Sequence, residues 1–211
     1  MARPYTVAPH LEYFNVPLAE FCASRPEFES FGVGGYIFAE CPSHHANIKN
    51  TSTISPRILL IQRALTDTMG GVWEGPGGSI EPDLDKTLLD GVAREVLEET
   101  GLNVSRFLDL VTVDSWQHLR RNGEMLRIAK YSFIVDVYEA GRPHEEIPVR
   151  LVATEHQAFE WALEEEVREV MQTNQGKFQH PLPDTWLNGP NLIRAFAWYK
   201  KQIASAVPVY N

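Results

Sequence analysis

The chain has 211 residues, with 28 acidic against 19 basic side chains and a formal net charge of −9. That acidic excess argues against a nucleic-acid-binding surface, which needs clustered Lys and Arg. It leaves room for an anionic substrate, because a divalent cation inverts the local sign of a carboxylate-rich site. The length suits one large domain with terminal additions, which we divide into an N-terminal extension over 1–30 and a main domain over 31–211 that includes a C-terminal helix. Two cysteines, Cys22 and Cys41, make no disulfide framework. Residues 1–14 lack a signal-peptide core, the last five residues match no lipidation signal, and no apolar run reaches membrane-span length. The expected setting is therefore cytoplasmic and away from the membrane.

Pro4, Pro9, Pro17 and Pro26 punctuate the extension, with a short helix expected at Leu18–Ser24. Phe31–Phe38 reads as a strand, residues 41–56 as a loop, and Arg57–Arg63 as a short buried strand with charged ends. Thr66–Gly78 is glycine-rich and turn-like. Leu84–Thr100 has helical periodicity. Leu110–Trp116 and Ile128–Tyr138 are rich in Val, Ile and aromatics and read as strands, and Val149–Thr154 is a further strand candidate. Glu164–Gln172 and Asn191–Ala206 read as helices. The mixture predicts an α/β fold built on a mixed sheet.

The chemistry is concentrated on the helix ending at Gly101. Leu88, Leu89, Val92, Ala93, Val96 and Leu97 share one broad face. Glu95, Glu98 and Glu99 sit at i, i+3 and i+4 and project together from another. Three like charges near a helix C-terminus repel one another and oppose the helix dipole, so local propensity does not explain them. Such an oxygen-rich set suits a hard divalent cation such as Mg²⁺, with Mn²⁺ as the alternative. Arg94 is placed to reach Glu98 one turn on. Upstream, Pro76-Gly77-Gly78 lets the backbone approach a ligand closely.

The segment Arg94-Glu95-Val96-Leu97-Glu98-Glu99-Thr100-Gly101-Leu102 resembles the second half of the Nudix box. More weakly, the resemblance extends from about Phe31 to Val170. It implies an α/β/α sandwich and a metal-dependent hydrolase that splits a diphosphate linkage in a small molecule, most often a nucleoside diphosphate derivative. Glu95, Glu98 and Glu99 would hold the ion with the Gly78 carbonyl, which would neutralise the diphosphate. Gly77 and Gly78 would line the phosphate site. The front half of the box departs from the pattern: the slot usually held by Glu contains Lys86 counted back from Arg94, and Leu84 counted forward from Gly78. The connector is thus about two residues longer than usual, and Asp83, Asp85 or Asp90 is a candidate substitute.

The general base would be a carboxylate of the box or of a later loop. In Glu155-His156-Gln157-Ala158-Phe159-Glu160-Trp161, which resembles the family's loop before its final strand and helix, Glu155 fits the latter slot. Arg63, at a strand end, is a candidate phosphate contact. Trp116 and His118 follow the strand where the family reads the leaving group. Cys41, His44 and His45 lack the ligand number and spacing of a zinc site. Glu164-Glu165-Glu166 opens a helix, where negative charge is favourable. Asn191–Ala206 reads as a packing or dimer helix, which leaves room for a homodimer. Two alternatives stand beside the leading reading: a hydrolase of a non-nucleotide, isoprenoid-type diphosphate, and a non-catalytic ligand-sensing domain of the same family.

Overall fold

The computed structural model describes residues 4–39, 56–67, 69–120, 123–179 and 188–206. The loop expected at 41–56, with Cys41, His44 and His45, therefore lies almost wholly outside the described residues. The strands are β1 (Thr6–Val7), β2 (Ser30–Ala39), β3 (Arg57–Arg63), β4 (Trp73–Glu74), β5 (Val104–Leu119), β6 (Met125–Val137) and β7 (His156–Leu163). The helices are α1 (Leu18–Ala23), α2 (Leu88–Thr100), α3 (Glu164–Thr173) and α4 (Asn188–Ala206).

Among the described residues these strands form one sheet in the order β1-β5-β6-β2-β3-β4, with β7 also paired to β3. The β1–β5 and β2–β6 pairs are parallel and the others antiparallel. β2 lies centrally. Nine of its ten residues are buried, as expected of a strand covered on both faces. Phe31, Val33 and Ile37 point to the side packed by Leu88, Leu89, Val92 and Val96 of α2. Tyr36 and Phe38 point to the opposite side, with Val167 and Val170 of α3 and Leu192, Ala195 and Phe196 of α4. The fold is an α/β/α sandwich on a mixed sheet.

The N-terminal segment is part of this architecture. Leu11, Phe14, Leu18 and Phe21 are buried in the α2-side core, and β1 adds a parallel edge strand at Thr6↔Arg106 and Val7↔Phe107. The Tyr5 hydroxyl donates to Asp90 Oδ1 at 2.8 Å, so the segment is tied to the first turn of α2.

Val149–Thr154 is not a strand: Arg150 N–H donates to the Thr100 carbonyl at 2.8 Å and caps the end of α2. The segment's backbone is used at a helix terminus and in local turns instead of a sheet ladder. The strand follows instead at His156–Leu163, along almost the whole of β3. α2 begins at Leu88 rather than Leu84, because Thr87 N-caps it. The Thr87 side chain accepts from Asp90 N–H, and the Asp90 carboxylate accepts from Thr87 N–H, both at 3.0 Å. At the other end Gly101 takes φ +71°, the left-handed turn expected of it. α3 and α4 are joined by a Lys200–Glu164 ion pair. No helix among the described residues is long and apolar enough to cross a membrane.

Candidate active site

Residues 76–80 run beside β2. Val33 N–H donates to the Gly78 carbonyl and Gly35 N–H to the Pro76 carbonyl, both at 2.9 Å. These bonds hold the Pro76-Gly77-Gly78 backbone against the end of α2. Gly77 has φ +151°, and a Cβ there would lie 2.2 Å from the Val33 carbonyl oxygen. At Gly78 a Cβ would lie 2.7 Å from both oxygens of Glu95. Only glycine lets the backbone and the carboxylates meet at this distance. The Gly78 carbonyl already accepts one hydrogen bond and has a second lone pair for another partner.

Glu99 is the deepest of the box carboxylates, 6% exposed. Its Oε2 accepts from Gly77 N–H at 2.6 Å. Burial pushes its pKa up to about 8 against that hydrogen bond, and the neighbouring charges of Glu95 and Glu74 add to the rise while Lys130 opposes it. Glu95 is likewise raised, chiefly by burial, with Arg94 pulling the other way. Two carboxylates made reluctant to ionise by burial are a favourable setting for a cation, which would restore their charge. Glu98 differs: its side chain is 53% exposed and it accepts from Arg94 Nη1 at 2.9 Å.

Arg94 organises the cluster. Its Nη1 also donates to Glu95 Oε1 at 3.0 Å, and its Nη2 to the Ser79 carbonyl at 2.9 Å. On the other side it meets Asp85 twice, Nε to Oδ1 at 2.9 Å and Nη2 to Oδ2 at 3.0 Å. Asp85 Oδ2 in turn accepts from Glu81 N–H at 2.7 Å. Of the three aspartates considered for the missing box Glu, Asp85 therefore supports the arginine. Asp90 caps the helix instead, and no side-chain hydrogen bond or ion pair links Asp83 to Arg94.

Glu155 and His156 arrive from the start of β7. Ala64 N–H donates to the Glu155 carbonyl at 2.7 Å and His156 N–H to the Val152 carbonyl at 2.9 Å, which fixes the backbone here. One ligand atom each from Glu99, Glu155 and His156 lie within 4.8 Å of one another. The structure thus brings Glu155 to the box, where the sequence placed it. His156 was not singled out. Its only sequence signal is adjacency to Glu155, since burial of a lone histidine is a tertiary property. Lys130 was also missed: it lies opposite Gly32 on β6, and only that register carries its charge toward Glu99.

The remaining candidates sit elsewhere. Arg63 donates to Glu74 Oε1 at 2.8 Å and pairs with Asp67, so its guanidinium is engaged by two carboxylates. Trp116 and His118 lie on the outer part of β5, opposite Ile128 and Leu126. Trp116, 39% exposed, lines an open hollow with Glu27, Phe28 and Arg127. No hydrogen bond or ion pair joins Trp116 or His118 to the box helix.

The chain is similar to several known proteins. Over 82 residues the chain is 39% identical to a "MutT-like protein" of Streptomyces ambofaciens, covering 39% of this chain and 40% of that protein. Over 50 residues it is 50% identical to the "m7GpppN-mRNA hydrolase NUDT17" of Danio rerio, covering 23% of this chain and 16% of that protein. The matched stretches thus span less than half the length of either relative. Among solved structures, a MutT NUDIX hydrolase from Burkholderia pseudomallei has 21% identity and a TM-score of 0.47, over 78% of this chain and 96% of its own. A C. elegans Ap4A hydrolase binary complex has 15% identity and a TM-score of 0.49, over 82% and 98%. The model of the NUDIX domain family matches residues 48–182, which include the glycine loop, the whole of α2 and the start of β7, and the chain belongs to that family.

Proposed function

We propose that this chain is a divalent-metal-dependent hydrolase of the diphosphate linkage in a small molecule, a nucleoside diphosphate derivative selected by contacts outside the box. One observation carries the reading: Glu99 is buried at the Gly77 amide with Glu95 beside it at Gly78, an acidic pocket whose walls are too close for any residue but glycine. The donor set fits Mg²⁺ or Mn²⁺, being carboxylates with an adjacent carbonyl. When bound, the ion would offset the diphosphate charge and favour attack on phosphorus. Arg94 holds Glu95 and Glu98 in register while Asp85 neutralises it from behind. Gly77 N–H orients Glu99. Glu155, an exposed carboxylate from outside the helix with one oxygen within 4.8 Å of Glu99 and His156 ligand atoms, has a second oxygen suited to take a proton from the attacking water.

The test is a panel of nucleoside diphosphate derivatives and isoprenoid-type diphosphates, incubated with Mg²⁺ or Mn²⁺ and analysed for monophosphate and phosphate products. Turnover of a nucleotide derivative supports the proposal. Turnover confined to isoprenoid-type compounds would replace the substrate class. Ligand binding with no turnover on the whole panel would point to a sensing domain instead.

A further inference from the structure

His156 is 2% exposed, and neither of its ring nitrogens has a hydrogen-bond partner. Leaving a buried polar nitrogen unsatisfied costs about 1–3 kcal/mol, so a histidine kept here needs a purpose. Its Nε2 lies 3.5 Å from Glu99 Oε1, beyond the roughly 2.7–3.2 Å of an N–H···O hydrogen bond. That spacing suits two donors that share one ion. With metal–ligand distances of about 2.1 Å, donors on an octahedral ion sit roughly 3 to 4.2 Å apart. The third member, Glu155, keeps all three ligand atoms within 4.8 Å of one another, so a small contraction would close the set. The imidazole is presented by a strand, not by a free loop: His156 pairs with Arg63 where the β3–β7 register shifts.

We propose that His156 is a nitrogen ligand of the divalent ion held by Glu99, with Glu155 as a third donor. The proposal rests on the metal-dependent reading given above and adds a donor of different chemistry to it. Carboxylates and carbonyls favour Mg²⁺ and Mn²⁺, whereas imidazole favours later first-row ions. A site with one imidazole among carboxylates therefore gains more affinity for Co²⁺ or Ni²⁺, relative to Mg²⁺, than an all-oxygen site would.

Pulsed electron paramagnetic resonance of the Mn²⁺-loaded protein tests this directly, with Co²⁺ and Mg²⁺ titration calorimetry beside it. Wild type should show ¹⁴N coupling to Mn²⁺. His156→Gln should abolish that coupling and weaken Co²⁺ binding by about tenfold or more, with a smaller loss for Mg²⁺. Mn²⁺ bound without nitrogen coupling, or coupling that persists in His156→Gln, overturns the proposal while leaving the metal-dependent reading intact. Failure of wild type to bind Mn²⁺, or binding unchanged in Glu99→Gln, overturns that reading itself. Should His156→Gln fail to fold by circular dichroism, a protein in which the other histidines are replaced must retain the coupling, and its loss there overturns the proposal.

Discussion

Asp85 and Arg94 form a two-point ion pair, Oδ1 to Nε at 2.9 Å and Oδ2 to Nη2 at 3.0 Å, at a position where the aspartate is only 4% exposed. The planar guanidinium meets the carboxylate edge-on, and its remaining N–H groups turn to Glu95, Glu98 and Ser79. Removing the buried partner leaves the arginine short of a counter-charge on its inner side. Asp85→Ala should cost about 3 kcal/mol in denaturant unfolding and lower turnover as well, since Arg94 would no longer hold Glu95 in place. An unchanged unfolding midpoint would show that the pair has no such role.

The N-terminal segment should behave as part of the domain. Tyr5→Phe removes one hydrogen bond to Asp90 at the start of α2, and should lower stability by about 1 kcal/mol. Leu11→Ala empties a site that is 2% exposed, and should cost about 2–5 kcal/mol. Thermal and denaturant melts check both values. Full stability in Leu11→Ala would mean that the segment packs only loosely.

Gly78→Ala places a methyl 2.7 Å from the Glu95 carboxylate. The side chain must move away, so divalent-ion affinity should fall by about tenfold. Calorimetric titration with Mn²⁺ measures this. Wild-type affinity in the variant would show that Glu95 does not contribute to the site.

The metal-free protein should lose stability as pH rises. The folded-state pKa of Glu99 is pushed up to about 8 from the ordinary 4.5 by burial. Between these values the folded state holds a proton that the unfolded state has released, so stability is fully present below about 4.5 and is lost toward 8. Melting temperatures in a chelator should therefore decline across that window. Glu99→Gln should flatten the decline, because an amide does not titrate. A chelator-treated wild type with no decline would contradict the burial account.

Much of this was legible from the chain, and the parts that were not share a cause. The faces of α2 follow from a 3.6-residue period, so Glu95 and Glu99 could be placed together and Val92 and Val96 assigned to the core. Gly101 announced the helix end. Asp85 could not be told from Asp83 or Asp90, because the choice depends on how the longer connector folds back toward Arg94. Tyr5 and His156 were invisible for a similar reason: each meets α2 from a distant part of the chain, Tyr5 at Asp90 and His156 at Glu99. Val149–Thr154 misled because its Arg150 amide is taken by the Thr100 carbonyl at the end of α2, a partner set by tertiary structure. Arg63 was legible as a strand-end charge, but its capture by Glu74 and Asp67 depends on the β3–β4 pairing.

The most direct measurement is metal-dependent turnover of a nucleoside diphosphate derivative by wild type and by Glu99→Gln, with product formation followed in Mg²⁺ and in a chelator. Wild type should release monophosphate with the ion and none without it, and Glu99→Gln should lose at least about a hundredfold in rate while remaining folded. Equal turnover by the two proteins, or turnover undiminished in the chelator, would contradict the account.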